Sequence, residues 1–280
     1  MEKIINLSDS YIVLDKLEKH IISEKIKGGP KRTRIVMRDH DTGKILQDVE
    51  NKIVITGSML NAANLFGIDV PVLLPDYNTE LGLDNTVDYS NVTPTNTPLV
   101  CLFCIGDTGC GTNPQDVFKV NYVDRIDPED LIPFRYVNKT DDLNADLRKY
   151  YYGRKTNNSN GKIAYYFKAF DTTPQMHLRY TDHTQVTDNL YNVDTTQQAE
   201  CYVEVRLRVT RKDLRDYFEQ VIGWEKARVS TISLCHAWYN IDKDGFREYQ
   251  QIFPYARLNF SLEWLVDLTK GIDFNYQIFY

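Results

Sequence analysis

Alternation of apolar and polar side chains marks the chain most clearly near its end. Ala256, Leu258, Phe260 and Leu262 interleave with Arg257, Asn259, Ser261 and Glu263. That period of two sends successive side chains to opposite faces of a half-buried strand. After a break at residues 269–272 the pattern returns: Ile272, Phe274, Tyr276, Ile278 and Tyr280 share one face, with Asp273, Asn275 and Gln277 opposite. Free chain ends fray, so a terminus this aromatic is expected to be paired into a sheet or held by a neighbouring subunit. The simplest arrangement is a central strand pair on which earlier segments pack. The same period runs through residues 201–209, where Val203, Val205, Leu207 and Val209 face one way and Glu204, Arg206 and Arg208 the other.

Further strands follow from shorter runs. Residues 34–38 and 44–48 flank a turn cluster ending in Gly43, a residue that takes the positive φ a hairpin requires. Residues 52–56 offer a third strand. Residues 99–105 are continuously apolar over strand length, and residues 162–170, 175–180 and 229–239 add three more strands. Helical signals are fewer. Residues 10–27 are expected to form a short helix ended by Gly28, Gly29 and Pro30. Gly57 and Ser58 offer an N-cap to a helix carrying Met59, Leu60, Ala62, Ala63, Leu65 and Phe66, with Gly67 as its stop. Residues 141–152 suggest another short helix. Thr210 and Asp213 have capping-box spacing ahead of Leu214, Phe218, Val221 and Ile222. The fold class that results is mainly β with a few short helices (α+β), its antiparallel sheets forming a sandwich- or barrel-like core with long extended loops.

Residues 1–280 are expected to form a single β-rich structural domain, with a subdomain boundary admissible near 153–161, where residues 157–161 form a flexible polar tip. Residues 69–98 carry Pro71, Pro75, Pro94 and Pro98 among Asn, Asp and Thr. They predict an extended loop of about 30 residues, a length that usually serves contact with another molecule. Residues 120–137 stay extended through Pro128 and Pro133, and residues 181–198 form a polar linker.

Composition sharpens this picture. With 280 residues of which 42% are hydrophobic, the chain fills a substantial core, and 19 Tyr and 12 Phe against 4 Met favour sheets and rigid contact surfaces. A net charge of −6 gives no overall attraction to phosphate, so nucleic-acid contact is not expected. The basic run Lys31, Arg32 and Arg34 serves as a solvated approach to a strand. No run of about 18 apolar residues suggests a membrane span, and the opening residues lack a cleavable leader pattern. Five cysteines, an odd count, fit thiols kept reduced at synthesis in a cytoplasm.

Several constellations invite chemistry. Cys101, Cys104 and Cys110 have spacing that turns thiolates onto one metal ion, but a closed site needs a fourth ligand delivered by the fold from His40, Cys201, Cys235 or His236. Leu102, Phe103 and Ile105 between them favour a buried strand in which free Cys acts as a small apolar residue. Asp107, in a glycine loop at residues 106–114, resembles an aspartic-protease element without a partner loop, so a turn role is expected. Asp242 and Asp244 begin a calcium-type loop whose twelfth position is Phe253, where a Glu belongs; Gly245 as a turn residue is the better account. Cys235 and His236, adjacent on a strand, point to opposite faces. His177 and His183 lie near Asp182 and Asp188 without spacing that singles out a hydrolytic or metal site.

Residues 260–265 and 273–280, together with residues 124–136, resemble virion structural proteins of large tailed bacteriophages. Such proteins form rings in the neck, tail or baseplate and are β-rich, with loops and arms that wrap neighbours. The resemblance implies a subunit without enzymatic activity, catalytic residues, cofactor or small-molecule substrate. It would be built in the host cytoplasm, end in the virion, and take other virion proteins or copies of itself as partners. Two other readings stand beside it. One is a carbohydrate-binding module that stacks sugars on exposed Tyr and Trp, with Trp238 as its test position. The other is a metal-dependent hydrolase around His177 and Asp188.

Overall fold

The computed structural model describes residues 32–66, 76–84, 99–110, 130–170, 173–180, 185–186, 199–241, 247–264 and 271–280. Alternating and continuous apolar runs build twelve strands among them: β1 (Arg32–Asp39), β2 (Ile45–Ile53), β3 (Leu99–Gly106), β4 (Leu131–Ile132), β5 (Arg135–Asn138), β6 (Tyr151–Asn157), β7 (Lys162–Ala169), β8 (Gln175–Tyr180), β9 (Ala199–Thr210), β10 (Arg228–Ile241), β11 (Arg247–Trp264) and β12 (Gly271–Phe279). Four short helices join them: α1 (Ile55–Phe66), α2 (Tyr77–Leu81), α3 (Ala145–Arg148) and α4 (Arg211–Tyr217).

Every named pairing is antiparallel. Sheet I runs β2-β1-β12-β9-β8, and sheet II runs β11-β10-β3-β7-β5, with β4 on β3 and β6 on β7. They meet where the far end of β2 leaves β1 and pairs Ile53 with Ala256 of β11. The two sheets pack face to face, and no closed barrel forms among the described residues. Ile35, Met37, Val205, Leu207, Phe274 and Tyr276 of sheet I meet Phe103, Ile105, Tyr165, Ile232, Leu234 and Tyr255 of sheet II in one buried core. A second cluster lies on the other side of sheet II, where Tyr77, Leu81 and Leu83 cover Leu102, Cys104, Cys235 and Ile252. β3 is therefore buried on both faces, which explains its unbroken apolar run.

Several sequence expectations are corrected. The two terminal strands do not pair with each other: β11 lies between β10 and β2, and β12 between β1 and β9. Each is an interior strand with apolar partners on both sides, so the aromatic terminus is tied down in sheet I rather than beside β11. Residues 52–56 are not a third strand, because β2 continues unbroken to Ile53 and a helix starts at Ile55. Gly57 and Ser58 consequently sit inside α1, not at its cap. A Cβ at Gly57 would lie inside contact distance of the Tyr255 carbonyl oxygen and ring, so glycine lets α1 settle directly on β11.

The stretch 69–98 is not uniformly extended. Asp76 caps α2 by accepting from Thr79 N at 2.8 Å, and Asn78 Oδ1 accepts from Ile252 N of β11 at 3.0 Å. Asp84 then blocks the free edge of β6: its N–H donates to Arg154 O at 2.9 Å and its carboxylate accepts from Thr156 N at 2.8 Å. In residues 141–152 the helix shrinks to α3, since Tyr151 already enters β6. Residues 153–161 form the rest of β6 and the turn into β7. The hairpin at residues 34–48, the strands at 162–170, 175–180, 201–209 and 229–239, and the capping box of Thr210 and Asp213 appear as expected. Expectations for residues 10–27, 67–75, 85–98, 111–129, 181–184, 187–198 and 242–246 lie outside the described residues.

Replacing Gly57 by Ala should destabilise the protein by about 1–3 kcal/mol through overpacking against β11. Urea denaturation of Gly57→Ala beside Gly43→Ala, a solvent-facing turn position, separates this clash from the cost of backbone conformation.

Candidate functional site

The strict alternation of β9 and β12 buries one face of sheet I and leaves the other polar. Register places Arg34 opposite Glu50 and Gln277, Asn275 opposite Arg206, and Asp273 opposite Arg208 and Arg38. This outer face stays open to water: the side chains of Arg34, Asp48 and Arg206 remain 47%, 37% and 41% exposed.

Its charges are paired within the sheet. Arg34 grips Asp48 through two bonds, Nε to Oδ1 at 2.8 Å and Nη2 to Oδ2 at 2.5 Å, the fork geometry suited to a carboxylate. Asp273 is the hub. Arg208 Nε donates to its Oδ1 at 2.8 Å, Arg206 Nη2 to its Oδ2 at 2.5 Å, and His40 Nδ1 shares a 3.0 Å hydrogen bond with Oδ2. Burial alone would raise the Asp273 carboxyl, but the bonds from Arg208, Arg206 and His40 outweigh it and hold the group well below the usual carboxylate range. Gln277 Nε2 donates to Glu204 Oε2 at 3.0 Å. Sequence alternation placed Asp273 on the polar face, but nothing near it in the chain announced the hub: Arg206 and Arg208 are more than 60 residues away and His40 is 233.

A second feature lies at one end of sheet II, where Tyr249 is buried, Tyr152 and Tyr239 are half-buried and Arg247 is exposed. Tyr152 and Tyr249 meet edge to face with ring centres 4.5 Å apart, Tyr239 lies 6.0 Å from Tyr249, and the exposed Arg247 guanidinium sits 4.6 Å over the Tyr239 ring. Cys101 lies beside this cluster, and burial pushes its thiol up to about 12.

The residues singled out from the sequence take these positions. Cys101 and Cys104 both belong to β3, Cys104 Sγ lies 3.9 Å from Cys235 Sγ in the apolar layer under α2, and Cys110 is buried. Of the ligands the fold might have delivered, His40 lies on Asp273 and His236 packs edge to face on Tyr255 at 4.8 Å. Among the described residues no three His, Cys, Asp or Glu side chains gather closely enough to hold a metal ion. Asp107 accepts from Arg228 Nε at 3.3 Å, and burial raises its carboxyl despite that partner. His177 stacks on Tyr202 at 4.9 Å, while Asp182, His183 and Asp188 lie outside the described residues. Trp238 is half-buried and packs edge to face on Phe253 at 5.2 Å, so it is not a free stacking platform.

Comparison with protein-family models, curated proteins and solved structures found no match. Among the described residues no helix is long and apolar enough to cross a membrane.

The Asp273 hub makes stability depend on pH. Its folded carboxyl titrates below its unfolded value of about 4, so the stabilisation is complete above that value and is lost as pH falls toward the folded one. Urea unfolding between pH 7 and pH 3 should show the stability gap between the native chain and Asp273→Asn narrowing below about pH 5. A gap that stays constant across this range would show that the ion pairs add nothing to folding.

Proposed function

We propose that this chain is a non-enzymatic structural subunit of a bacteriophage virion, belonging to the neck, tail or baseplate and working by contact with copies of itself or with other virion proteins. It is made in the host cytoplasm and carried in the particle. The observation that supports this reading most is the cluster of Tyr152, Tyr239, Tyr249 and Arg247 at the end of sheet II. Tyrosine and arginine are the side chains that dominate protein contacts, because they offer large, rigid area with a polar tip. These rings are fixed in advance by packing on one another, so docking a partner orders little that is not already ordered. Leu99, which opens β3, is 43% exposed and Tyr150 52% exposed, adding apolar area to the surface of the sandwich. The resemblance of residues 124–136, 260–265 and 273–280 to tailed-phage virion proteins points the same way.

The test is assembly. Sedimentation or mass photometry at micromolar concentration, alone and with the other virion proteins of the same particle, should show oligomers or mixed complexes. Tyr239→Ala combined with Arg247→Glu should weaken assembly at least tenfold, the loss of a hot-spot pair, while melting stays close to that of the native chain. A native chain that remains a monomer under all these conditions contradicts the reading.

A further inference from the structure

The outer face of sheet I carries a trough that the assembly reading does not use. The floor is β12, whose outward residues Asp273 and Asn275 are short, while the flanking strands carry longer side chains such as Arg34, Arg38, Glu204 and Arg206. Two adjoining grooves result. One, of about 410 Å³, is lined by Arg38, Gln175, Glu204, Arg206, Asp273 and Asn275. The other, of about 380 Å³, is lined by Arg34, Glu50, Arg179, Tyr202, Gln277 and Phe279. The bond between Gln277 and Glu204 spans the point where they meet. From Asp273 to Phe279 the floor is roughly 20 Å long at the usual strand rise.

We propose that this trough binds a neutral oligosaccharide laid along β12. Many of its charged groups already hold partners: Asp48 pairs with Arg34, Asp273 accepts from Arg206 and Arg208 and shares a bond with His40, Arg38 donates to the Gly43 carbonyl and Arg179 to the Tyr202 hydroxyl, so an ionic ligand would have to compete with existing bonds. The carboxamides of Asn275 and Gln175, by contrast, make no side-chain hydrogen bond among the described residues and face the groove with both donors and acceptors. Planar carboxylate, carboxamide and guanidinium groups in series match the neighbouring hydroxyls of a sugar chain, each hydroxyl donating and accepting at once. A peptide would need apolar pockets for its anchoring side chains. The aromatic lining is confined to Tyr202 and Phe279, which are 6% and 9% exposed, enough to bound one end of the trough and too little to anchor a peptide. The ligand is held by hydrogen bonds with the aromatic pair as an end stop, a different chemistry from stacking on Trp238.

The test uses the full chain with maltohexaose, cellohexaose, mannohexaose and chitohexaose as probes, each titrated into the millimolar range by calorimetry and by chemical-shift mapping. At least one should bind. Gln175→Ala should weaken that binding by about threefold to tenfold, the loss of one hydrogen bond. Asn275→Trp, which fills the floor, should abolish it, with an unchanged melting temperature showing that the sheet is intact. Binding that survives Asn275→Trp, or no binding by any of the four, overturns the proposal. So does loss of self-association in Asn275→Trp without sugar binding in the native chain, which would make the trough a protein contact. Because the assembly cluster lies on the other sheet, failure here leaves the assembly reading standing, and the reverse also holds.

Discussion

A buried ion pair between Lys168 and Asp213 holds the two sheets in register, and the rest of the architecture depends on it. Lys168 belongs to β7 of sheet II; Asp213 is in the first turn of α4, immediately after β9 of sheet I. Lys168 Nζ donates to Asp213 Oδ2 at 3.0 Å and to the Arg208 carbonyl of β9 at 2.7 Å, with the side chains 7% and 1% exposed. Charges taken this far from water are tolerated only when their remaining hydrogen-bonding capacity is filled. Here Asp213 also accepts from Thr210 N and Oγ1 at 2.7 and 2.6 Å, and from the Tyr151 hydroxyl of β6. Burial and the adjoining Asp213 charge push the Tyr151 phenol up, keeping it a donor. Arg135 of β5 reaches Asp216 of α4 at 2.9 Å beside this network. One carboxylate thus caps a helix, neutralises a lysine and joins the sheets.

With the sheets fixed, the outer face of each takes a different role. Sheet II is covered on its outer side by Tyr77 and Leu81 of α2 and by Leu83 just beyond it. The outer face of sheet I is partly exposed, and among the described residues many of its charged side chains are held by one another. A face whose ion pairs already exist loses little freedom when something docks on it, and it favours ligands that ask for hydrogen bonds instead of charge. The tyrosine cluster on sheet II differs in kind, with the exposed Arg247 set over aromatic rings that are half-buried or buried. The assembly and recognition roles proposed above therefore fall on separate surfaces of one sandwich.

The sequence revealed those features that depend on local periodicity. The alternation of Val203, Val205, Leu207 and Val209 announced an inward face, and Thr210 with Asp213 announced a helix start, because both signals need only neighbouring residues. The partners of β11 and β12 were not legible, since strand order is set by which distant apolar faces match, and here β1 and β2 intervene between them. The position of α1 escaped for a related reason: Gly57 looks like a helix boundary locally, yet its role is to clear Tyr255, nearly two hundred residues away. Within residues 69–98, the proline density concealed a capped turn, α2, which docks on β11 through Asn78. The candidate surfaces were half legible. Composition implied tyrosine-rich contact area, and alternation placed Asn275 and Asp273 on a polar face, but the Asp273 hub and the Tyr239–Arg247 contact exist only once the strands are assembled.

The most direct test is a double-mutant cycle between Lys168 and Asp213, using Lys168→Met, Asp213→Asn and the pair, each followed by urea unfolding. A buried pair that joins the sheets predicts a coupling of about 2–3 kcal/mol, with the double variant more stable than the sum of the single losses. Single losses that add to within about 0.5 kcal/mol would show that the two groups act independently and that something else holds the sandwich together.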